Sequence, residues 1–237
     1  LNSLYHGIKA IFVKDLVLEL RAKEVLPSMV VLGMLIVLVL RLVSQVGDLN
    51  LGAMGVGALW IAFLFAALLA QERSFAAEQH QDCINGLLLA PIDAGAIYLA
   101  KLLVNIVMLG IFEVIIVPLV ILAFDLNLAG GFGRLILVLL LGNLAISSVG
   151  TLFSAMVQVS RVRGSLLSIL VFAILLPMMV PATFALLITF GINPDDMAGT
   201  GMVALTGNFR TAVGFLVAFD AIFITASWLL FGFVVQE

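Results

Sequence analysis

Few residues in this sequence could carry chemistry, and their spacing keeps most of them from acting together. The candidate metal and haem ligands are His6, His80 and a single cysteine, Cys83. Neither histidine sits in a cluster with ligand spacing. No histidine falls among the serines and acids of the apolar runs, where a Ser-His-Asp arrangement would need one. Lys101 is the one lysine beyond residue 23, and no glycine directly precedes it, so a phosphate-binding Gly-x-x-x-x-Gly-Lys-Ser/Thr loop is absent. A lone cysteine also excludes an internal disulfide. The chain is therefore expected to be no enzyme, with no catalytic residue, metal or cofactor of its own.

What the sequence does carry is polarity at depth. Glu113 lies twelve residues beyond Lys101 and Asp220 ten beyond Arg210. Those separations correspond to roughly 18 Å and 15 Å along a helix. Both acids are embedded in apolar sequence, where a carboxyl group must be protonated or held by a polar neighbour. Either it hydrogen-bonds across a helix pair or it serves a pathway, and an intramembrane acid is by default a functional candidate. Asn143, Ser147, Gly150, Thr151 and Ser154 recur at i, i+4, i+7, i+8 and i+11. That spacing places small and polar groups on one helical face, the pattern of a close helix–helix contact. The stripe is expected to face protein, lining a seam or a path.

The elements that must position these residues follow from composition. Of 237 residues, 64% are apolar and only 11% charged, against roughly 25% charged in soluble domains. Such a chain cannot cover a surface facing water, so an all-α membrane protein is predicted. Six continuous apolar runs read as spans: about 26–45, 52–70, 96–123, 135–159, 165–190 and 211–235. A transmembrane barrel would show alternation instead. The net charge of −3 is spread as punctuation between spans and indicates no nucleic-acid partner.

Residues 1–25 form a separate unit, an interfacial amphipathic helix preceding a six-helix membrane domain over 26–237. Leu4, Tyr5, Ile8, Ile11, Phe12, Leu16 and Leu20 repeat at helical spacing while Lys9, Glu19 and Lys23 fall off that stripe. The charges in this stretch leave no pattern of a secretory leader. Arg41 is expected to reach from the first span to the nearer interface.

Between the second and third spans lies a polar hinge, residues 71–95. Glu72 to Gln81 contains no Gly or Pro, and Gly86 supplies a stop, so a short helix is predicted there. It is either a solvated connection or a docking helix that receives force from a soluble partner. In the second case Phe75 is the apolar anchor, and Glu72, Arg73, Glu78 and Asp82 are its polar contacts. Orientation follows from Lys/Arg balance. With the N-terminus inside, eight of the eleven basic residues lie on the cytoplasmic side, so both termini and the hinge are expected there.

Several motifs together resemble the haem exporter protein B (CcmB) family. They are Leu68-Leu69-Ala70-Gln71-Glu72-Arg73-Ser74-Phe75, Gln81-Asp82, Leu88-Leu89-Ala90-Pro91 and Leu99-Ala100-Lys101. Asn105, Pro118, Leu139-Leu140-Leu141-Gly142 and the run from Arg163 to Leu170 leading to Pro177 also fit. Ala173 stands where the family often has a further proline, and Glu113 where an apolar residue is expected. The resemblance implies an exporter-type ABC permease fold, with residues 71–95 carrying a cytoplasmic coupling helix, in a bacterial inner membrane. It further implies a role in cytochrome c biogenesis, coupling ATP hydrolysis by a separate subunit to haem export or to release of a haem-loaded chaperone. The implied partners are a cytoplasmic ABC ATPase carrying ATP, a Trp-rich membrane subunit that handles haem, a small membrane peptide, the haem chaperone and a second copy of this chain. Two alternatives stay open: a mechanical transmission subunit with no solute path, and an exporter permease for an unrelated lipid or glycan.

Overall fold

A computed structural model describes residues 2–22, 24–46, 50–79, 94–160, 164–193 and 207–236, with side chains over the interior of these ranges. Every described element is a helix: α1 (Asn2–Ala22), α2 (Val25–Val46), α3 (Leu51–Gln79), α4 (Ala94–Ala123), α5 (Phe132–Ser160), α6 (Gly164–Thr189) and α7 (Phe209–Gln236). Helices satisfy their backbone groups internally, which is what a hydrocarbon surrounding requires. The six helices from α2 to α7 each contain a stretch long and apolar enough to cross a membrane.

α3 and α5 are the most enclosed spans, while α2 and α7 present most of their surface outward. Leu35 and Leu38 of α2 and Ile222 and Leu229 of α7 are among the exposed apolar side chains, as lipid-facing positions should be. The core is built around Trp60 and Phe63 of α3, Phe112 and Ile116 of α4, Ile146 of α5 and Met178 of α6. Trp60 meets Phe63, and Phe63 meets Phe112, edge to face, each pair with centroids 5.8 Å apart. Trp60 reaches this position because Gly142 of α5 has no side chain: a β-carbon there would overlap the indole ring. Pro118 in α4 and Pro177 and Pro181 in α6 interrupt the backbone ladder inside the helices, as packed membrane helices tolerate.

Successive spans alternate in direction, so α1, Gln71 of α3, the start of α4, the end of α5 and the end of α7 share one end of the bundle. There Ile11 of α1 packs with Ile97, Tyr98 and Leu102 of α4, Ala155 of α5 and Phe231 of α7. At the opposite end the turn after α4 is tied to α6 by a 2.8 Å bond from the Gly130 amide to the Thr189 carbonyl. Arg134 of α5 lies over the Phe209 ring at 5.0 Å.

One element departs from the sequence reading, and α1 adds contacts that the sequence did not specify. α3 does not stop near Ala70 with a new helix beginning at Glu72; it runs unbroken to Gln79. Charged side chains do not terminate a helix, and no Gly or Pro intervenes. α1 is more than an interfacial lead-in. Asp15, an acid on the protein-facing side, approaches Lys101 of α4 at 3.8 Å and Lys14 at 3.1 Å, while Leu20 of the expected apolar stripe is 45% exposed. Arg41 forms a local contact, donating to Ser44 Oγ at 3.3 Å.

Candidate functional site

The polar residues of the bundle gather along the contact between α4 and α5. Asn143, Ser147, Thr151 and Ser154 are all buried, each 2% exposed or less. Serine and threonine hydroxyls in a helix return to carbonyls one turn back. Thr151 Oγ1 donates to the Ser147 carbonyl at 2.7 Å and Ser154 Oγ to the Gly150 carbonyl at 2.6 Å. These bonds leave lone pairs facing α4, and α4 uses one of them. Asn105 Nδ2 donates to Thr151 Oγ1 at 2.8 Å. One turn further along, Ser147 Oγ donates to Asn143 Oδ1 at 3.1 Å, and Asn143 Nδ2 donates to the Ile106 carbonyl at 3.2 Å. The result is a ladder with two rungs crossing from α4 to α5. At the hinge end it is extended by Tyr98, whose hydroxyl donates to the Ser148 carbonyl at 3.4 Å.

Glu113 stands at the other end of this ladder. It is 7% exposed, and the Asn143 side chain faces its carboxyl group. One carboxyl oxygen, Oε1, is buried without a partner among the described residues. Asp220 is placed differently. It is 3% exposed on α7, and neither carboxyl oxygen has a partner among the described residues. Glu113 thus belongs to the ladder and Asp220 does not. A cleft of about 500 Å³ does open between α6 and α7, but Ile174, Pro177, Phe215, Phe219 and Ile222 line it and neither acid does.

The hinge residues stand as follows. Glu72, Arg73, Phe75 and Glu78 belong to the continuous helix α3, their side chains outside the described residues, and Asp82 lies outside them altogether. Just before this group, Gln71 is 2% exposed and its Oε1 is buried without a partner among the described residues. Its carboxamide is seated on Gly150 of α5, where any β-carbon would overlap it. Sequence reasoning gave Gln71 and Asn105 no structural role and did not single out Trp60 or Tyr98. The available signal was glycine: Gly142 and Gly150 lie eight residues apart on α5, and each receives one large side chain from α3.

Six apolar spans packed around a polar helix contact define a multi-pass, all-helical membrane protein. The family model described as CcmB protein matches residues 7–226. The chain belongs to the CcmB family, which makes it a membrane component of the cytochrome c maturation haem export system, a multi-subunit assembly that includes an ATPase. A comparison with curated proteins gives no match.

Proposed function

We propose that this chain is the permease-type subunit that carries motion, driven by ATP hydrolysis on a separate cytoplasmic ATPase, to haem-handling partners at the outer face. The observation that carries the proposal is the continuity of α3. One unbroken helix runs in the packed core from Val56 to Ala70 and continues through Gln71 to Gln79, so a push on its polar end reaches the bundle core without a joint. Mechanical transmission is favoured over a solute path by the packing of the polar groups. The ladder residues are bonded to one another across a helix contact, and the cleft of about 500 Å³ is apolar and lined by neither acid. Both termini and the hinge are placed in the cytoplasm of a bacterial cell with this chain in the inner membrane. The partners are two ATPase subunits on a homodimer of this chain, a Trp-rich haem-handling subunit, a small membrane peptide and the haem chaperone.

The test is the hinge. Aromatic residues dominate interface energy, so Phe75→Ala is expected to reduce ATPase recovered with the purified complex while leaving the bundle folded. Unchanged recovery together with unchanged cytochrome c maturation would return the hinge to a plain connection.

A further inference from the structure

The last buried turn of α3 holds a polar side chain that hydrophobicity does not account for. Gln71 is 2% exposed, and its Oε1 is buried without a partner among the described residues. A buried, unpaired carboxamide oxygen costs free energy, and leucine would fill the space without that cost. The seat is equally particular. Gly150 lies in the α5 stripe between Ser147 and Ser154, and even one methyl group there would overlap the carboxamide nitrogen and oxygen. Thr151 beside it accepts the rung from Asn105 of α4, and the carbonyl of Gly150 itself accepts the Ser154 hydroxyl at 2.6 Å. One residue beyond Gln71, α3 leaves its membrane-spanning stretch and continues as the polar extension to Gln79.

We infer that Gln71 is a positioning residue, a wedge seated in the Gly150 notch that sets the register of the hinge extension against α5. The inference rests on the transmission reading above and names where the motion enters the bundle. A long lever displaces its neighbour only where the two are keyed together. Here the key is one side chain wide, because a glycine backbone lets a bulky group sit against the helix axis. From Gly150 the displacement has a bonded route onward, through Thr151 to Asn105 of α4. Trp60 on Gly142 forms a second key eight residues along α5, which holds the core end of α3 in place while the Gln71 end moves.

A steric suppressor experiment tests this in cells that depend on this system for c-type cytochromes, with the complex purified in parallel. Gly150→Ala fills the notch and is expected to abolish most cytochrome c maturation while ATPase still co-purifies at the wild-type level. Adding Gln71→Ala removes the overlap and is expected to raise maturation from the Gly150→Ala level to that of Gln71→Ala alone. Gln71→Ala alone removes the wedge without a clash, so it should lower maturation while ATPase stays bound; it is decisive if Gly150→Ala fails to accumulate in the membrane. Normal maturation in Gly150→Ala or in Gln71→Ala, or a double variant no better than Gly150→Ala, overturns the inference. ATPase that fails to co-purify with the wild-type chain sinks the transmission reading and this inference with it. ATPase retained alongside normal maturation in the single variants sinks the inference alone.

Discussion

Asn105 of α4 donates to the Thr151 hydroxyl of α5 at 2.8 Å, and that hydroxyl donates on to the Ser147 carbonyl at 2.7 Å. Thr151 thus serves both helices at once, which makes it the most constrained position of the ladder. Thr151→Val keeps the shape and deletes both bonds. Interhelical hydrogen bonds in membranes average about 0.6 kcal/mol and reach about 1.7 kcal/mol, so a loss in that range is expected, nearer the upper end because Asn105 is left without its acceptor. Thr151→Ser should lose less. Thermal unfolding in detergent measures both, and a double-mutant cycle with Asn105→Leu isolates the rung.

Asp220 leads to the opposite sign. Its two carboxyl oxygens are buried without partners among the described residues, so removing them forfeits no described bond. Aspartate at the centre of a membrane helix costs about 2.5–3.5 kcal/mol, whereas leucine is favourable. Asp220→Leu is therefore expected to raise the melting temperature, and Asp220→Asn to raise it less, since the amide remains buried. A lower melting temperature in Asp220→Leu would mean that the carboxyl group is bonded after all. Stabilisation with loss of maturation would mark Asp220 as a group retained for function at the cost of stability.

The docking of α1 rests on two contacts of unequal weight. The Asp15–Lys101 pair is long, at 3.8 Å, and pairs near a surface contribute roughly 0.2–1 kcal/mol. Ile11 is 6% exposed in an apolar cluster with α4, α5 and α7, and truncating a buried isoleucine to alanine costs about 2–5 kcal/mol. Ile11→Ala should thus release α1 to protease and to hydrogen exchange much more than Asp15→Ala. Equal effects would show that the ion pair holds the helix.

How much of this is legible in the sequence depends on the range of the interaction. Spans and their ends follow from local apolar content, and the described helices start and stop within a few residues of the expected limits, α3 excepted. There hydropathy falls at Gln71 while helical continuity does not, and the two signals were read as one boundary. The α5 stripe is a local pattern, so its face was predictable, but its partners were not. That Asn105 meets Thr151, or Gln71 meets Gly150, depends on how α3 and α4 are rotated against α5. No spacing within a single helix records that rotation. Glycines mark where a close approach is possible without saying which side chain makes it.

Orientation has a direct check. Asn193, exposed just past α6, lies on the far side of the bundle from the hinge. A cysteine placed there is expected to react with a membrane-impermeant thiol reagent applied to intact cells. Cys83, in the hinge sequence, should react only after the membrane is opened. Reversed labelling would invert the proposed topology and remove the hinge from reach of a cytoplasmic ATPase.

The last prediction concerns haem. Protein-bound haem iron is held by His, Cys, Met or Tyr, and here His6, His80, Cys83 and Tyr5 all fall on the hinge side of the sequence. Tyr98, the other tyrosine, is fully buried at the same end and committed to the Ser148 carbonyl. Methionines remain. Met178 is fully buried in the core, its methyl 3.7 Å from where a Gly142 β-carbon would sit, and Met179 packs against the same cluster. Both are engaged in packing, which suits a flexible thioether. Met197 and Met202 fall in the sequence between α6 and α7, outside the described residues, and no histidine in that stretch could complete an axial pair. With only Trp60 and Trp228 in the chain, and Trp60 inside the core, a Trp-rich haem platform has no material here. The purified subunit is therefore expected to be colourless, with haem absorbance appearing only when the Trp-rich partner is present. A Soret band in the isolated chain, lost on Met197→Leu or Met202→Leu, would place haem on this subunit and favour a transporter over a transmission element.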